Sequence, residues 1–239
     1  MPKLSVIIPA YNEEDKIKSG LEEIDKKLSG KDYEILVVDD GSTDNTAKIV
    51  RDTNIKKVNL IQLKKNKGKG AAVREGVMQS RGEYVLFTDA DQSTPIDHIF
   101  EFLREIKSHD IVIGSRALPE SAIVKKQPLV KRILGHLGSI IIRLILKLPY
   151  KDTQCGFKLF KSRVAKEIFN EISCLGWAFD FEVLKIADNR GLRVKEMPVV
   201  WKDNPDTKVN FKDYLIVLKK LFLIKKRYKK KGFKTRSGS

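Results

Sequence analysis

The sequence predicts an α/β domain with a mostly parallel sheet that is covered by helices on both faces. Apolar segments of strand length alternate along the chain with longer segments of helical periodicity, and this alternation is typical of parallel sheets. With 239 residues, of which 41% are hydrophobic, the chain is long enough to bury the core of one sizeable domain. Neither an internal repeat nor a low-complexity linker divides the sequence, so one folding unit is expected.

Seven strands are predicted from runs of apolar and often β-branched residues, and most are followed by a polar turn and a helical pattern. After the second run, Gly41 permits a tight turn, and Ser42, Thr43 or Asp44 can cap the next helix. The predicted strands are 4–10, 33–38, 58–63, 84–88, 110–114, 154–160 and 192–200. The predicted helices are 13–28, 43–51, 70–79, 95–107, 129–148, 163–172, 180–189 and 211–228.

Carboxylates follow two of the predicted strands directly. The second strand ends in Asp39 and Asp40, and the fourth ends in Asp89, Ala90 and Asp91. Alternate residues of an extended chain point to the same side, so Asp89 and Asp91 are expected to face together beyond the carboxyl end of their strand, where open α/β sheets bind ligands. Two carboxylates suit a divalent cation such as Mg²⁺, whose shell phosphate oxygens complete. A solvated acidic turn is the alternative.

The charge of the chain predicts an anionic partner. Its net charge is +16, and phosphorylated substrates, anionic lipid and nucleic acid all remain possible from charge alone. No lysine cluster carries the aromatic platform of a nucleic-acid module, so nucleic acid is not expected. Two cysteines make a disulfide framework improbable and fit a reducing, cytoplasmic setting. No secretory signal and no apolar run of about 20 residues is recognised.

Two segments, 129–148 and 211–231, are predicted to form basic amphipathic helices. Long apolar residues form a stripe on each, with lysines and arginines beside it. Such a helix either packs on its own core or lies among lipid headgroups on an anionic membrane surface, and both readings are open. We expect a catalytic domain over 1–210, which includes the first of these helices, a separate basic helix at 211–231 and a disordered tail at 232–239.

Several motifs together resemble a known family. The segments IIPAYNEE, VVDDGSTDNT, NKGKGAAVREG and DAD occur in this order, and they resemble the nucleotide-binding half of the inverting, metal-dependent family 2 glycosyltransferases. Residues 152–160, 177–182 and 199–209 resemble the branch of dolichyl-phosphate glucose and mannose synthases. The resemblance covers roughly residues 3 to 210 and implies a GT-A fold, which is a Rossmann-like mostly parallel sheet, with the basic amphipathic helices added to it.

The resemblance implies that a nucleotide sugar lies along the strand ends, with UDP-glucose favoured and GDP-mannose possible. Asp91, and Asp89 directly or through water, would hold Mg²⁺ or Mn²⁺. Tyr11 would stack on the base, or it simply packs. Gln92 follows the acidic pair one residue earlier than the third metal ligand of mannose-transferring relatives, so its role is open. The expected nucleotide-sugar residues are Pro9, Ala10, Tyr11, Glu13, Asp39, Asp40, Lys69, Asp89, Ala90 and Asp91.

The resembled branch also implies an acceptor side that binds polyprenyl or dolichyl phosphate. Arg116 ends the fifth strand and suits bidentate phosphate binding, and Arg132 and Lys208 would complete the anion pocket. Asp180 is either a general base, as in hydroxyl-transferring relatives, or a structural residue that caps a helix or orients Arg116. The residues expected to line the acceptor or sugar pocket are Gln154, Gly156 and Phe157.

The preferred hypothesis is an inverting enzyme, peripheral on the cytosolic membrane face, that transfers glucose or mannose to a polyprenyl phosphate. Its expected catalytic residues are Asp89, Asp91, Arg116 and Asp180. The first alternative is a family 2 transferase to a saccharide hydroxyl, with Asp180 as base. The second is a basic membrane- or nucleic-acid-binding module without catalysis. Nucleotidyl transfer is disfavoured, because no glycine-rich loop with an arginine follows the first strand.

Overall fold

The computed structural model describes residues 2–125, 129–202 and 211–230; within these ranges the side chains of 125, 129–137, 211–216 and 229–230 are outside the description. The strands are β1 (Leu4–Ala10), β2 (Tyr33–Asp39), β3 (Val58–Gln62), β4 (Tyr84–Thr88), β5 (Ile111–Ser115), β6 (Ala122–Lys125), β7 (Phe157–Lys161), β8 (Val194–Pro198) and β9 (Val200–Lys202). The helices are α1 (Ile17–Lys27), α2 (Thr46–Arg51), α3 (Lys69–Gln79), α4 (Ile99–Glu105, after a 3₁₀ turn at Ile96–His98), α5 (Leu129–Leu146), α6 (Ser162–Glu171), α7 (Phe179–Asn189) and α8 (Phe211–Lys230).

Seven strands form one sheet in the order β3-β2-β1-β4-β7-β5-β8. All neighbouring strands are parallel except β7, which runs antiparallel to both β4 and β5. The mostly parallel α/β architecture predicted from the sequence is therefore confirmed. The antiparallel β7 brings the beginning of that strand to the edge of the sheet where its parallel neighbours end.

A second, two-stranded sheet pairs β6 with β9 in parallel, and neither strand was predicted as a separate element. Both strands are short, with four and three residues. The predicted strand 192–200 is divided after Pro198. Pro198 is tolerated because β8 is the edge strand of the large sheet, and the N–H of Val199 still donates to the carbonyl of Ser115 in β5 at 3.2 Å. Val200 to Lys202 form β9, which pairs with β6 in the second sheet.

Apolar side chains fill a core on each face of the large sheet. Along β1, Ile7 contributes to one core, and Val6 and Ile8 contribute to the other, as the alternation of side chains along a strand requires. The first core is covered by α3, α5, α6, α7 and α8. The second is covered by α1, α2 and α4. The sheet is thus covered on both faces, as the sequence predicted.

The two basic amphipathic helices, α5 and α8, pack against each other and onto the first core. In α8, Leu221 is fully buried while Phe222 is 57% exposed, and in α5, Ile142 is buried while Leu144 is 73% exposed. Among the side chains that the structure describes, each apolar stripe is therefore divided between the core and the surface. In the described part of the chain, no helix combines the length and the apolarity needed to cross a membrane. The predicted tail at 232–239 lies outside the described residues.

Candidate active site

The carboxyl ends of β1, β2 and β4 meet at one edge of the sheet, here called the rim. These strands are parallel neighbours. Ala10 and Asp39, the last residues of β1 and β2, are directly paired, and the backbone N–H of Asp40 donates to the carbonyl of Ala10 at 2.8 Å. The structure therefore brings together the predicted nucleotide-sugar residues from Pro9 to Glu13 and from Asp39 to Asp40.

The loops after β1 and β2 hold each other through backbone and side-chain hydrogen bonds. The backbone N–H of Asn12, which has a φ of 53°, donates to Ser42 Oγ at 2.9 Å, and Asn12 Oδ1 accepts the N–H of Thr43 at 2.8 Å. The N–H of Glu13 donates to Thr46 Oγ1 at 2.7 Å. Tyr11 stands beside these contacts with 37% of its surface exposed, so its ring is accessible at the rim.

Asp39 and Asp40 are buried and organise the rim. Asp39 accepts the N–H of Ser42 at 3.1 Å. Asp40 accepts the backbone N–H groups of Lys67 and Gly68 at 2.8 and 2.7 Å. These residues belong to the segment 66–70, here called the lysine-glycine loop, which Asp40 thereby holds against the rim. Burial raises the pKa of Asp40, although these two N–H groups lower it. Direct contact of either carboxylate with a nucleotide stays a prediction.

Lys69, the first residue of α3, lies against the acidic pair. Its Nζ is 2.5 Å from Asp89 Oδ1, and the two side chains are 17% and 33% exposed. The same Nζ lies 5.4 Å from the centroid of the Trp177 ring, which is within cation–π range. Burial lowers the pKa of Lys69, but the carboxylates of Asp89 and Asp180 outweigh it, so the pKa lies above its ordinary value. Lys69 is therefore a fixed cation beside the predicted diphosphate site.

Gly156 leaves the space that the Asp89 carboxylate occupies. It precedes β7, whose first residue, Phe157, is paired with Thr88 at the end of β4. A Cβ at Gly156 would lie 2.1 Å from Asp89 Oδ2, a distance that real Cβ atoms do not show. The sequence predicted that this glycine permits a close approach to the acceptor or donor sugar. In the structure the close approach is to Asp89.

Asp91 and Gln92, which follow Asp89 closely, make different contacts. Asp91 Oδ1 accepts the N–H of Ser93 at 2.9 Å. Gln92 has a φ of 47° and is 7% exposed, and its Nε2 donates to the carbonyl of Asp89 at 3.0 Å. A Cβ at Gly20 of α1 would lie 3.6 Å from Gln92 Cγ. Gln92 therefore faces α1 rather than the open rim. Ala90 is buried in the second core.

The acidic pair fits a divalent cation that also binds phosphate. Asp89 and Asp91 supply hard oxygen ligands just after β4, and both carboxylates lie close enough to Lys69 to raise its pKa. In the described residues, no group of three or more histidines, cysteines, aspartates and glutamates could hold a metal ion alone. Such a pair is suited to Mg²⁺ or Mn²⁺, because oxygens of a bound diphosphate would complete the shell.

Arg116 follows β5 at the same rim and forms a bidentate ion pair with Asp152. Its Nε and Nη2 donate to the two carboxylate oxygens at 2.7 and 3.0 Å, and its backbone N–H donates to Oδ2 at 3.0 Å. The guanidinium also lies 5.4 Å from the ring centroid of Trp201. Although burial opposes it, the ion pair holds the pKa of Asp152 well below its usual range. The guanidinium is thus fixed while its side chain stays 31% exposed.

Asp180 does not orient Arg116, as one reading of the sequence supposed, but pairs with Lys158. Lys158 Nζ donates to Asp180 Oδ1 and to the carbonyl of Cys155, both at 2.6 Å. Lys158 and Asp180 are 0% and 4% exposed. Burial raises the pKa of Asp180 above its ordinary value, although Lys158 and Lys69 act to lower it. The pair connects α7 to the segment just before Gly156.

The structure describes only some of the remaining residues that were predicted on the acceptor side. Gln154 is exposed. The assignment of Phe157 to the pocket lining is wrong, because its ring is fully buried and packs against Phe102 at a centroid distance of 5.1 Å. The side chain of Arg132 is outside the description, although α5 contains the residue. Lys208 lies outside the described residues.

Sequence reasoning missed three side chains that organise this site, namely Asp152, Lys158 and Trp177. A signal exists for Lys158, since a lysine inside the apolar run Phe157 to Phe160 must either reach solvent or find a buried acid. Asp152 and Trp177 were noticed only as parts of family-like segments. Their partners, Arg116 and Lys69, are far away in sequence and close only after folding.

Comparisons with known proteins identify the class. The model of the family "Glycosyl transferase family 2" matches residues 5–169. A dolichyl-phosphate beta-glucosyltransferase of Dictyostelium discoideum is 37% identical, over 94% of this chain and 74% of its own. The Homo sapiens protein of the same name is 34% identical, over 95% of this chain and 76% of its own.

A solved structure agrees with the fold. Glucosyl-3-phosphoglycerate synthase from Mycobacterium tuberculosis, in complex with Mn²⁺, UDP and glucosyl-3-phosphoglycerate, has a TM-score of 0.68 at 17% identity, over 98% of this chain and 82% of its own. The fold and the rim thus define a glycosyltransferase of the GT-A type. The chain belongs to glycosyl transferase family 2.

Proposed function

We propose that this glycosyltransferase transfers glucose from UDP-glucose to dolichyl phosphate or another polyprenyl phosphate, with inversion at the anomeric carbon. The names of relatives that are 34–37% identical over nearly the whole chain support both the sugar and the acceptor. The structural observation that carries the proposal is the acceptor side of the rim. It offers the fixed guanidinium of Arg116, whereas the carboxylate proposed as a base, Asp180, is buried in an ion pair.

An anionic acceptor makes a general base unnecessary. A phosphate monoester is already ionised near neutral pH, so its oxygen can attack the anomeric carbon on the face opposite the leaving diphosphate. The new C–O bond forms as the C–O bond to the diphosphate breaks, and the diphosphate keeps the electron pair. Arg116 would bind and orient the acceptor phosphate through charge-assisted hydrogen bonds.

Cations on the donor side would offset the charge that develops on the leaving group. Lys69 is held beside Asp89 as a protonated ammonium and would lie close to the bound diphosphate. A bound Mg²⁺ or Mn²⁺ on Asp89 and Asp91 would supply further charge stabilisation. Fixed charges of this kind act most strongly where water is excluded.

The alternative acceptor, a saccharide hydroxyl, requires a base that can reach the hydroxyl proton. Asp180 is 4% exposed and its Oδ1 lies 2.6 Å from Lys158 Nζ, so its position disfavours that role. GDP-mannose remains the alternative donor. The non-catalytic alternative is set aside, because the chain belongs to an enzyme family.

We further propose that the enzyme works at the cytosolic face of a membrane, where a polyprenyl phosphate presents its headgroup. The surface formed by α5 and α8 supports this location. It exposes large apolar side chains and lysines together, the combination expected of a helix among anionic headgroups. The apolar members are Ile141, Leu144, Leu218, Phe222 and Leu223, and the lysines are Lys219, Lys220, Lys225 and Lys226.

The test is a matrix of donors and acceptors with purified protein. UDP-glucose and GDP-mannose are each incubated with a short polyprenyl phosphate, the corresponding polyprenol or a free oligosaccharide, and the products are separated by chromatography. The proposal expects a labelled lipid only with UDP-glucose and the polyprenyl phosphate. It also expects the product to disappear with a chelator and to return with Mg²⁺ or Mn²⁺. A glycosylated oligosaccharide without a lipid product would contradict it.

A further inference from the structure

Glu182 joins the last helix of the chain to the loop before α7. It is fully buried in the first turn of α7. Its carboxylate accepts the backbone N–H groups of Ser173 and Cys174 at 3.0 and 2.7 Å and the hydroxyl of Ser173 at 2.7 Å. From α8, the hydroxyl of Tyr228 donates to the same carboxylate at 3.1 Å. One buried anion therefore holds both segments.

Arg227, the neighbour of Tyr228, strengthens the connection. Its Nη2 donates to the carbonyl of Glu171 at 3.0 Å, and its Nη1 lies 3.9 Å from Glu182 Oε1. Glu171 is the last residue of α6, just before the loop that Glu182 holds. The end of α8 is thus fixed at two successive residues.

The loop at 173–177 packs directly on the lysine-glycine loop of the donor side. Its Leu175 carbonyl accepts the N–H of Ala71 at 2.9 Å. A Cβ at Gly68 would lie 2.7 Å from that carbonyl oxygen, and a Cβ at Gly70 would lie 3.0 Å from the carbonyl oxygen of Cys174. The two loops touch without space for a side chain between them. A shift of one therefore moves the other, and with it Lys69.

The same loop carries Trp177 to the donor site, where its ring lies 5.4 Å from Lys69 Nζ. On the opposite side of the connection, α8 presents Leu218, Phe222 and Leu223 to the exterior. A continuous series of contacts therefore runs from the outer face of α8 through Tyr228 and Glu182 to the Lys69–Asp89 pair.

We propose that Glu182 is a positioning residue that makes the donor site depend on how α8 is seated. Through the loop at 173–177 it sets the places of Trp177 and Lys69, and α8 keeps that loop in place through Tyr228 and Arg227. The inference rests on the donor side of the proposed function, and it does not depend on the identity of the acceptor. Contact of α8 with an anionic lipid surface would then tighten the donor site.

The decisive variant is Tyr228→Phe, which removes one hydroxyl and keeps the ring in the core. Tyr150→Phe is the matched control, since Tyr150 is also a buried tyrosine of the same core. We expect Tyr228→Phe to raise the KM for UDP-glucose about tenfold, the scale of a lost hydrogen bond to a charged group, with a much smaller change in kcat. Tyr150→Phe should leave both constants unchanged.

Trp177 gives a readout that needs no turnover. The chain has two tryptophans, so a Trp201→Phe background leaves Trp177 as the single emitter. In that background, Tyr228→Phe should increase acrylamide quenching of Trp177 at least about twofold. It should also weaken the change in Trp177 fluorescence that UDP causes. Vesicles with 30% phosphatidylserine should reduce the quenching only when Tyr228 is present. Arg227→Gln, on a partly exposed side chain, should act in the same direction without removing a core group.

The outcomes separate the two proposals. If no lipid product forms but Tyr228→Phe alters Trp177 and UDP binding, the coupling stands and the acceptor assignment fails. If Tyr228→Phe matches Tyr150→Phe in quenching and in UDP binding, the coupling is overturned, whatever the enzyme transfers. The coupling is also overturned if Tyr228→Phe does not fold and Arg227→Gln behaves like the parent protein.

Discussion

Gly156 determines where the Asp89 carboxylate lies. Because a Cβ at this position would come within 2.1 Å of Asp89 Oδ2, any other residue must displace that carboxylate. The displaced group is the end of a side chain rather than backbone, so the fold should stay intact. The position of the Asp89 carboxylate in the site, however, must change. Gly156 is therefore a requirement of the active site rather than of the core.

Gly156→Ala should reduce transfer by about 100-fold, the scale of a misplacement of about 1 Å at a reacting centre, while far-UV circular dichroism and the unfolding midpoint stay near those of the parent. Gly138→Ala is the control, since a Cβ there meets nothing within 4 Å. Equal activity of the two alanine variants would show that Asp89 tolerates displacement and is not needed where the structure places it.

A substitution of Arg116 distinguishes effects on acceptor binding from effects on donor binding. Arg116→Ala should lower kcat/KM for the polyprenyl phosphate by about tenfold to 100-fold, since it removes charge-assisted contacts to the phosphate. Slow hydrolysis of the sugar nucleotide should change much less. Parallel assays of transfer and hydrolysis measure this difference. Equal losses in both assays would assign Arg116 to the donor side or to the structure of the rim.

A structural effect of Arg116→Ala must be separated from a functional one. Removing the guanidinium leaves the buried carboxylate of Asp152 unpaired. Breaking a fully buried ion pair costs about 3–5 kcal/mol, and because the Arg116 side chain is 31% exposed we expect about 3 kcal/mol or less here. Arg116→Lys keeps a cation beside Asp152, but it loses the planar guanidinium, including Nη1, which makes no hydrogen bond to Asp152 and would meet the phosphate. The lysine variant should therefore recover most of the lost stability and little of the acceptor affinity.

At the scale of elements, the surface formed by α5 and α8 is expected to bind anionic membranes. Vesicles with 30% phosphatidylserine should sediment the protein, and binding should weaken as salt shortens the Debye length towards about 8 Å. Replacing Leu218, Phe222 and Leu223 together by serine should weaken binding by more than about tenfold at constant charge, because these side chains supply apolar contact. Leu221 is excluded from this set because it is fully buried.

Met78→Ser is the control for the triple serine variant, since Met78 is 41% exposed on a different helix. It should bind vesicles as the parent does. If the parent protein does not bind anionic vesicles even at low salt, the proposed membrane location fails, and a soluble saccharide acceptor becomes the better hypothesis.

The order of the elements could be read from the sequence, but the position of one strand could not. Local patterns sufficed for β1, β2 and β4 and for the carboxylates at their ends, because apolar runs and polar turns are properties of short segments. The direction of β7 depends on its insertion between β4 and β5. That non-local pairing places Gly156 against Asp89, which no spacing in the sequence indicates.

The ion pairs at the site were unpredictable for the same reason. Arg116 and Asp180 were both singled out, yet their partners are Asp152 and Lys158. Asp152 precedes β7 and Lys158 is its second residue, so the place of each partner follows from the topology rather than from sequence distance. Short elements add to the difficulty, since β9 has only three residues and lacks a pattern of its own.

At the scale of the whole molecule, buried thiols predict a loss of stability at high pH. Burial raises the pKa of Cys155 and of Cys174 from 9.0 to about 11. A thiol with a raised folded-state pKa stabilises the fold fully below pH 9, and this contribution is lost as pH rises through 11. Urea unfolding should show a falling free energy between pH 9 and 11, and the Cys155→Ala, Cys174→Ala double variant should show a smaller slope. If the double variant has the same slope as the parent protein, the raised pKa values assigned to the two thiols are contradicted.

The most direct test of the proposed reaction is to identify the bond that it forms. The lipid product from UDP-glucose labelled with ¹³C at the anomeric carbon is examined by nuclear magnetic resonance. The proposal predicts coupling between that carbon and phosphorus in the lipid product, with the β configuration that inversion of the α-linked donor requires. A labelled anomeric carbon without phosphorus coupling in the product, attached instead to a sugar hydroxyl, would contradict the proposal.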